Sequence, residues 1–201
     1  MSLAILGGSF DPVHIGHLSL LNVAVTNSDY NNFLVIPAKV SNFKQDSKPR
    51  ATDRQRLEML NLALLDYKTM FSHSRDISIE VCTMELERGG VSYTYDTVME
   101  LKRKYSIKER IGLIIGDDHL EGLSHWYEFE KLSKEVEFLI CSRFKTEESL
   151  ESLSKNICYR RLENNVLFPQ SSTAIRDNIE KFSNYLSPKV LDYVREKNLY
   201  H

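Results

Sequence analysis

The chain has 201 residues, 42% of them hydrophobic and 27% charged, with a formal net charge of −2. That length and mixture suit a single globular domain over residues 1–201 with a sizeable core. The near-neutral charge excludes a general nucleic-acid binder and leaves room for a local basic pocket.

In chain order, "LAIL" at 3–6 reads as a first buried strand. No basic segment precedes it, so it does not read as a signal peptide. Leu18, Leu21 and Val25 then recur at helical spacing. "FLVI" at 33–36 is a second strand, followed by a polar, basic loop over 39–50. Thr52 and Gln55 form a capping box that opens a helix marked by Leu57, Leu60 and Leu64. "ISIEV" at 77–81 is a third strand, and Val98, Leu101 and Tyr105 mark the next helix. "IGLII" at 111–115 and "FLIC" at 138–141 are further buried strands, and the Ser-, Glu- and Lys-rich stretch 142–156 is a solvated connection. "VLF" at 166–168 reads as a sixth strand. A helix capped by Ser172 carries Ile175, Ile179 and Phe182, and a last amphipathic helix starts near Pro188 with Leu191 and Val194 inward. Continuous apolar runs alternating with helices predict an α/β fold with a doubly wound parallel sheet.

The three cysteines, Cys82, Cys141 and Cys158, are odd in number and contain no CxxC pair. Reduced, mostly buried thiols are the expectation, with a catalytic thiol as the minor alternative. No apolar run approaches the roughly 20 residues of a membrane span. A soluble, cytoplasmic protein without membrane or nucleic-acid partners is expected.

The first strand runs into "GGSFDPVHIGH" at 7–17. In open α/β sheets ligands bind at the carboxyl ends of strands. Gly7 and Gly8 would let a ligand approach the backbone there. A helix starting near His14 or Ile15 would aim its N–H groups and positive dipole end at the same point. The pattern is neither GxGxxG nor a Walker A loop. His14 and His17, three apart, could donate to phosphate oxygens and stabilise charge gathering there. A zinc site lacks a third ligand at suitable spacing, and a structural or surface role for the two imidazoles is the remaining alternative.

These residues resemble the HxGH signature of the nucleotidylyltransferase superfamily. "HIGH" also occurs in class I aminoacyl-tRNA synthetases, but their KMSKS motif is absent here. "SSTAIR" at 171–176 resembles the SSTxIR motif of adenylyltransferases instead. "SYT" at 92–94, "IIGDDHL" at 114–120, "WYEFEKL" at 126–132, "LICSR" at 139–143 and the ending "VLDYVREKNLY" resemble bacterial nicotinate-mononucleotide adenylyltransferases nearly end to end.

The resemblance implies a Rossmann-like nucleotidylyltransferase fold and a role in NAD biosynthesis. ATP and nicotinate mononucleotide would be the substrates, joined to nicotinate adenine dinucleotide with release of pyrophosphate. It assigns His14 and His17 to the ATP phosphates, with His17 as the main transition-state contact. Gly8, Ser9 and Phe10 would cradle nucleotide. Ser172, Thr173 and Arg176 would meet phosphate, and Gly116 and Asp118 would lie near adenosine, with helix capping as a further role for Asp118. Trp126, with Tyr127 beside it, would stack on the pyridine ring, and Thr94 would help hold the nicotinate carboxylate. Lys44 would bind acceptor phosphate, although Asn42-Phe43-Lys44 stands where the family shows Pro-His-Lys. Mg²⁺ is expected only as a partner of the ATP phosphates. The same chemistry on another phosphorylated acceptor, such as nicotinamide mononucleotide, and a nucleotide sensor without catalysis are the alternatives.

Overall fold

The computed structural model of the chain describes residues 2–42, 49–142, 157–163 and 171–200. Its centre is a six-stranded sheet in which every neighbouring pair is parallel. The strands are β1 (Leu3–Gly8), β2 (Asn32–Pro37), β4 (Ser78–Val81), β6 (Ile111–Gly116), β7 (Val136–Cys141) and β8 (Tyr159–Leu162), in the order β4-β2-β1-β6-β7-β8. β3 (Val40–Ser41) and β5 (Val91–Ser92) pair separately, also in parallel.

Alternate residues of the central strands face opposite layers. Ala4 and Leu6 pack on one side with residues of α1 (Ile15–Asn27), α2 (Asp53–Met70) and α7 (Pro188–Glu196). Leu3 and Ile5 pack on the other with α3 (Met84–Arg88), α4 (Thr94–Tyr105) and α5 (Phe129–Glu135). The sheet is thus covered on both faces, as the apolar runs required.

The chain leaves β1 toward β2 on one side, and β6 lies on the other. β1 and β6 pair only through Ala4–Gly112 and Ile5–Leu113. Beyond those residues their carboxyl ends part. This is the point where the strand order reverses, and a crevice opens there in doubly wound sheets.

Five of the sequence-read strands correspond to β1, β2, β4, β6 and β7. "VLF" at 166–168, and residues 143–156 of the solvated connection, lie outside the described residues. The sixth strand described is β8, "YRRL", in which only Leu162 is buried. An edge strand buries little, so it carries no apolar run to read. The loop over 39–50 contains the two-residue strand β3, too short for any periodicity.

The Thr52–Gln55 box caps α2 as read. The cap of α6 (Ser172–Asp177) is Ser171, not Ser172: the Ser171 hydroxyl accepts from the Ala174 N–H at 3.2 Å. α6 also ends at Asp177, before Ile179 and Phe182, which still pack on the core from the following turns. Cys82 and Cys141 are buried and Cys158 is partly buried, and none of the three forms a disulfide. No helix among the described residues is long and apolar enough to cross a membrane.

Gly112 sits in the central strand, where an added Cβ would lie 2.9 Å from the Tyr30 ring and 3.0 Å from the Ala4 Cβ. Overpacking of this kind costs about 1–3 kcal/mol. Gly112→Ala is expected to lower the urea unfolding midpoint by a corresponding amount, and an unchanged midpoint would show that the ring moves aside freely.

Candidate active site

Five carbonyl oxygens in and beside the turn after β1 are engaged by the protein itself. The Gly8 carbonyl accepts from the Ala38 N–H at 2.9 Å. Arg56, fully buried on α2, donates to the Ser9 carbonyl at 2.7 Å and to the Ala38 carbonyl at 2.8 Å. Arg176 donates to the Asp11 carbonyl, and the Ser172 hydroxyl donates to the Pro12 carbonyl at 3.0 Å. The His14 carbonyl takes the N–H groups of His17 and Leu18. A turn whose acceptors are engaged elsewhere presents donors to a ligand, which favours anions.

Phe10 adopts φ 48, a left-handed conformation costly for a bulky residue. Its ring is buried and closes over Gly8, where an added Cβ would meet it at 3.0 Å. It also meets His17 edge-on, with centroids 4.9 Å apart.

His14 caps α1. Its Nδ1 accepts the Gly16 N–H at 3.1 Å, while its own backbone N–H donates to His17 Nδ1 at 3.2 Å. Both Nδ1 atoms therefore act as acceptors, which puts the proton of each neutral ring on Nε2. The two rings lie 3.8 Å apart at the mouth of the turn, where α1 begins.

These groups border a cavity of about 320 Å³, a size ordinary for small-molecule sites. Of the residues read from sequence, Gly8, Ser9, Phe10, His14 and His17 line it from β1 and α1. Gly116 and Asp118 line it from the end of β6, Ser172 from α6, and Thr94 and Trp126 from the opposite wall. Thr173 and Arg176 do not reach the wall. The Arg176 guanidinium turns inward, with Nη2 3.1 Å from Thr173 Oγ1 and Nη1 toward Asp11. Tyr127 also stays outside, half exposed against Tyr93 at 4.5 Å. Lys44 and Phe43 lie outside the described residues.

Trp126 is only 8% exposed, so it is a core residue and a cavity residue at once. His119 meets it edge-on with centroids 6.0 Å apart. His119, Glu85, Ser92 and Thr97 line the cavity without having been singled out from sequence. Ser92 arrives by the β3–β5 pairing and binds the Lys39 N–H at 3.0 Å. Glu85 sits on a five-residue helix and accepts from Thr97 at 2.6 Å. Neither carries a periodic signal. Arg56 is likewise one arginine among helix charges, and only the tertiary structure shows it clamping the turn. Its partner Asp53 is pushed up by burial, but hydrogen bonds from Lys39 and Arg56 outweigh this and hold its carboxyl below the usual range.

A larger groove, about 870 Å³, lies between α2 and α7. It is open and lined by both signs of charge, including Arg54, Glu58, Lys189 and Asp192. None of the residues expected to contact substrate reaches it, so the smaller cavity is the candidate site.

Residues 5–178 match the family described as cytidylyltransferase-like. The chain belongs to that family. A Treponema pallidum protein named "Probable nicotinate-nucleotide adenylyltransferase" is 33% identical, covering 100% of this chain and 99% of its own. A Hydrogenobaculum protein of the same name is 34% identical, covering 100% and 98%. The solved structure of Plasmodium falciparum nicotinic acid mononucleotide adenylyltransferase complexed with NaAD aligns at a TM-score of 0.78 with 25% identity, over 99% of this chain and 97% of that one. The resemblance carried by the motifs is thus matched by full-length relatives, and the cytidylyltransferase-like fold by a solved neighbour.

The geometry of the two imidazoles makes a spectroscopic expectation. Above their titration range, ¹⁵N-resolved imidazole spectra of His14 and His17 should show Nε2 protonated and Nδ1 bare. The opposite tautomer at either ring would contradict the cap geometry.

Proposed function

We propose that the chain joins ATP and nicotinate mononucleotide to give nicotinate adenine dinucleotide and pyrophosphate, a step of NAD biosynthesis. The observation that carries this reading is the pair of Nε2–H imidazoles beside a turn with its carbonyls engaged, at the strand-order reversal of a fold shared with full-length adenylyltransferase relatives.

A phosphate oxygen of the mononucleotide attacks the α-phosphorus of ATP. The bond from that phosphorus to the oxygen bridging to the β-phosphorus breaks, and pyrophosphate departs with the electron pair. The nucleophile is already an anion near neutral pH, so no general base is needed. The protein's work is alignment and charge stabilisation. His14 and His17 donate through Nε2 to the triphosphate, and His17 follows the charge onto the leaving group. The backbone at Gly8, Ser9 and Phe10 cradles the nucleotide with Ser172, and Gly116 and Asp118 face adenosine. Thr173 and Arg176 support this wall from behind, through Thr173 Oγ1 and the Asp11 carbonyl. Thr94 and Trp126 hold the pyridine side, with Tyr127 at its edge and Lys44 as a phosphate partner for the acceptor.

Among the described residues no group of three or more His, Cys, Asp or Glu side chains could hold a metal. Mg²⁺ would arrive on the ATP phosphates, since this ion keeps waters and needs few protein carboxylates. Bound there it would neutralise phosphate charge, with Asp118 and Glu85 as the acidic side chains on the cavity wall.

Pyrophosphate release with ATP and each of the acid and amide mononucleotides tests the reading. Release is expected with the acid and to be much weaker with the amide, whose neutral group offers less to backbone donors. Release with the amide alone would move the acceptor assignment, and release with neither would leave a binding protein. His17→Ala is expected to lower kcat by roughly 10²–10³, the scale for a lost preorganised donor, with little change in Tm. Near-normal turnover would remove His17 from the chemistry. Trp126 is the only tryptophan, so its fluorescence reports the acceptor side. Nicotinate mononucleotide is expected to quench it more than ATP does. Activity without any quenching would place the pyridine away from Trp126.

A further inference from the structure

Outside the cavity, the most heavily partnered polar group near the signature turn is the Asp11 carboxylate. Asp11 is 2% exposed and does not line the cavity. Its Oδ2 accepts the Arg50 N–H at 2.8 Å, and its Oδ1 accepts the Ala51 N–H at 3.0 Å. The Tyr200 hydroxyl donates to Oδ1 at 2.8 Å. Arg176 Nη1 lies 3.6 Å from Oδ2. One carboxylate thus joins the signature turn to the segment before α2, to α6 and to the turn after α7.

Tyr200 reaches this place from the turn after α7. Asn198 and Tyr200 both adopt left-handed backbone, with φ 51 and 66. The Leu199 N–H closes on the Val194 carbonyl at 3.0 Å, and Leu199 and Tyr200 pack on the core face shared by α1 and α2. Burial pushes the Tyr200 phenol well above its ordinary range, and the Asp11 charge pushes it further the same way. The hydroxyl therefore stays a donor.

We propose that Tyr200 and Asp11 are a positioning pair, through which the turn after α7 fixes the turn that carries the nucleotide cradle. This deepens the adenylyltransferase reading and rests on it. Asp11 stands between Phe10, whose ring lies over Gly8 and against His17, and Pro12, whose carbonyl is tied to Ser172. A buried carboxylate shifts toward its remaining partners when one donor is lost. Here the remaining side-chain cation is Arg176, which also holds the Asp11 carbonyl. The displacement would pass along the backbone into Phe10 and the histidines. Misplacement of about 1 Å by a remote change can cost up to about 10²-fold in rate.

Tyr200→Phe in the full chain keeps the ring and removes only the donor. Kcat is expected to fall about 5- to 20-fold, with KM for nicotinate mononucleotide within about twofold of the unmodified chain, measured well below Tm. The double variant Asp11→Ala with Tyr200→Phe should turn over no more slowly than Asp11→Ala alone, because Tyr200 acts through the Asp11 carboxylate. Turnover within twofold of the unmodified chain for Tyr200→Phe, or multiplying losses in the double variant, would overturn the proposal. If Asp11→Ala does not fold, the imidazole ¹⁵N shifts of His14 and His17 in Tyr200→Phe decide: altered shifts support the pair, and unaltered ones overturn it. The same spectra apply if the unmodified chain releases no pyrophosphate, an outcome that would count against the proposed reaction and not against the pair.

Discussion

A buried backbone carbonyl needs a donor, and in the turn after β1 the protein supplies such donors from distant segments. Gly8, Ser9, Asp11 and Pro12 each direct a carbonyl to a group from another segment: the Ala38 N–H, Arg56, Arg176 and the Ser172 hydroxyl. With the acceptors turned inward, the outward side of the turn is left to N–H groups and imidazoles. The start of α1 adds its positive dipole end at the same place. That backbone orientation is the basis on which we propose an anion site in a chain whose net charge is only −2.

The sheet makes that turn useful. β1 and β6 pair through only two residues before their ends part, so the β1 turn and the Gly116–Asp118 segment face one another across the crevice. The small β3–β5 pairing brings Ser92 and Thr94 to the far wall. The cavity therefore has a donor-rich side built from β1 and α1 and a mixed side with Trp126, Glu85 and His119. That asymmetry suits two substrates which meet at their phosphates, one a triphosphate and the other carrying an aromatic ring.

The sequence disclosed what was local or repetitive. Buried strands such as "IGLII" are continuous apolar runs, and the Thr52–Gln55 box is a three-residue offset, so both were legible. β8 was not, because an edge strand of sequence "YRRL" buries one leucine. The cap of α6 shifted by one residue, since adjacent serines offer the same hydroxyl and only the backbone at Ser171 decides. At the site, the residues within motifs largely gathered around one cavity. The family resemblance placed Arg176 at phosphate, but the structure turns its guanidinium to Asp11 and Thr173. The contacts of Arg56 and Tyr200 were not legible: they meet the turn from 47 and 189 residues away, and no spacing rule spans such distances.

The central claim is that the β1 turn is a donor surface for the triphosphate. The direct measurement is a backbone amide NMR titration with a non-hydrolysable ATP analogue. The largest shifts are expected at Ser9, Phe10 and Ile15, with smaller ones at Asp118 and Ser172. Shifts concentrated in the groove between α2 and α7, with the β1 turn unmoved, would contradict the account.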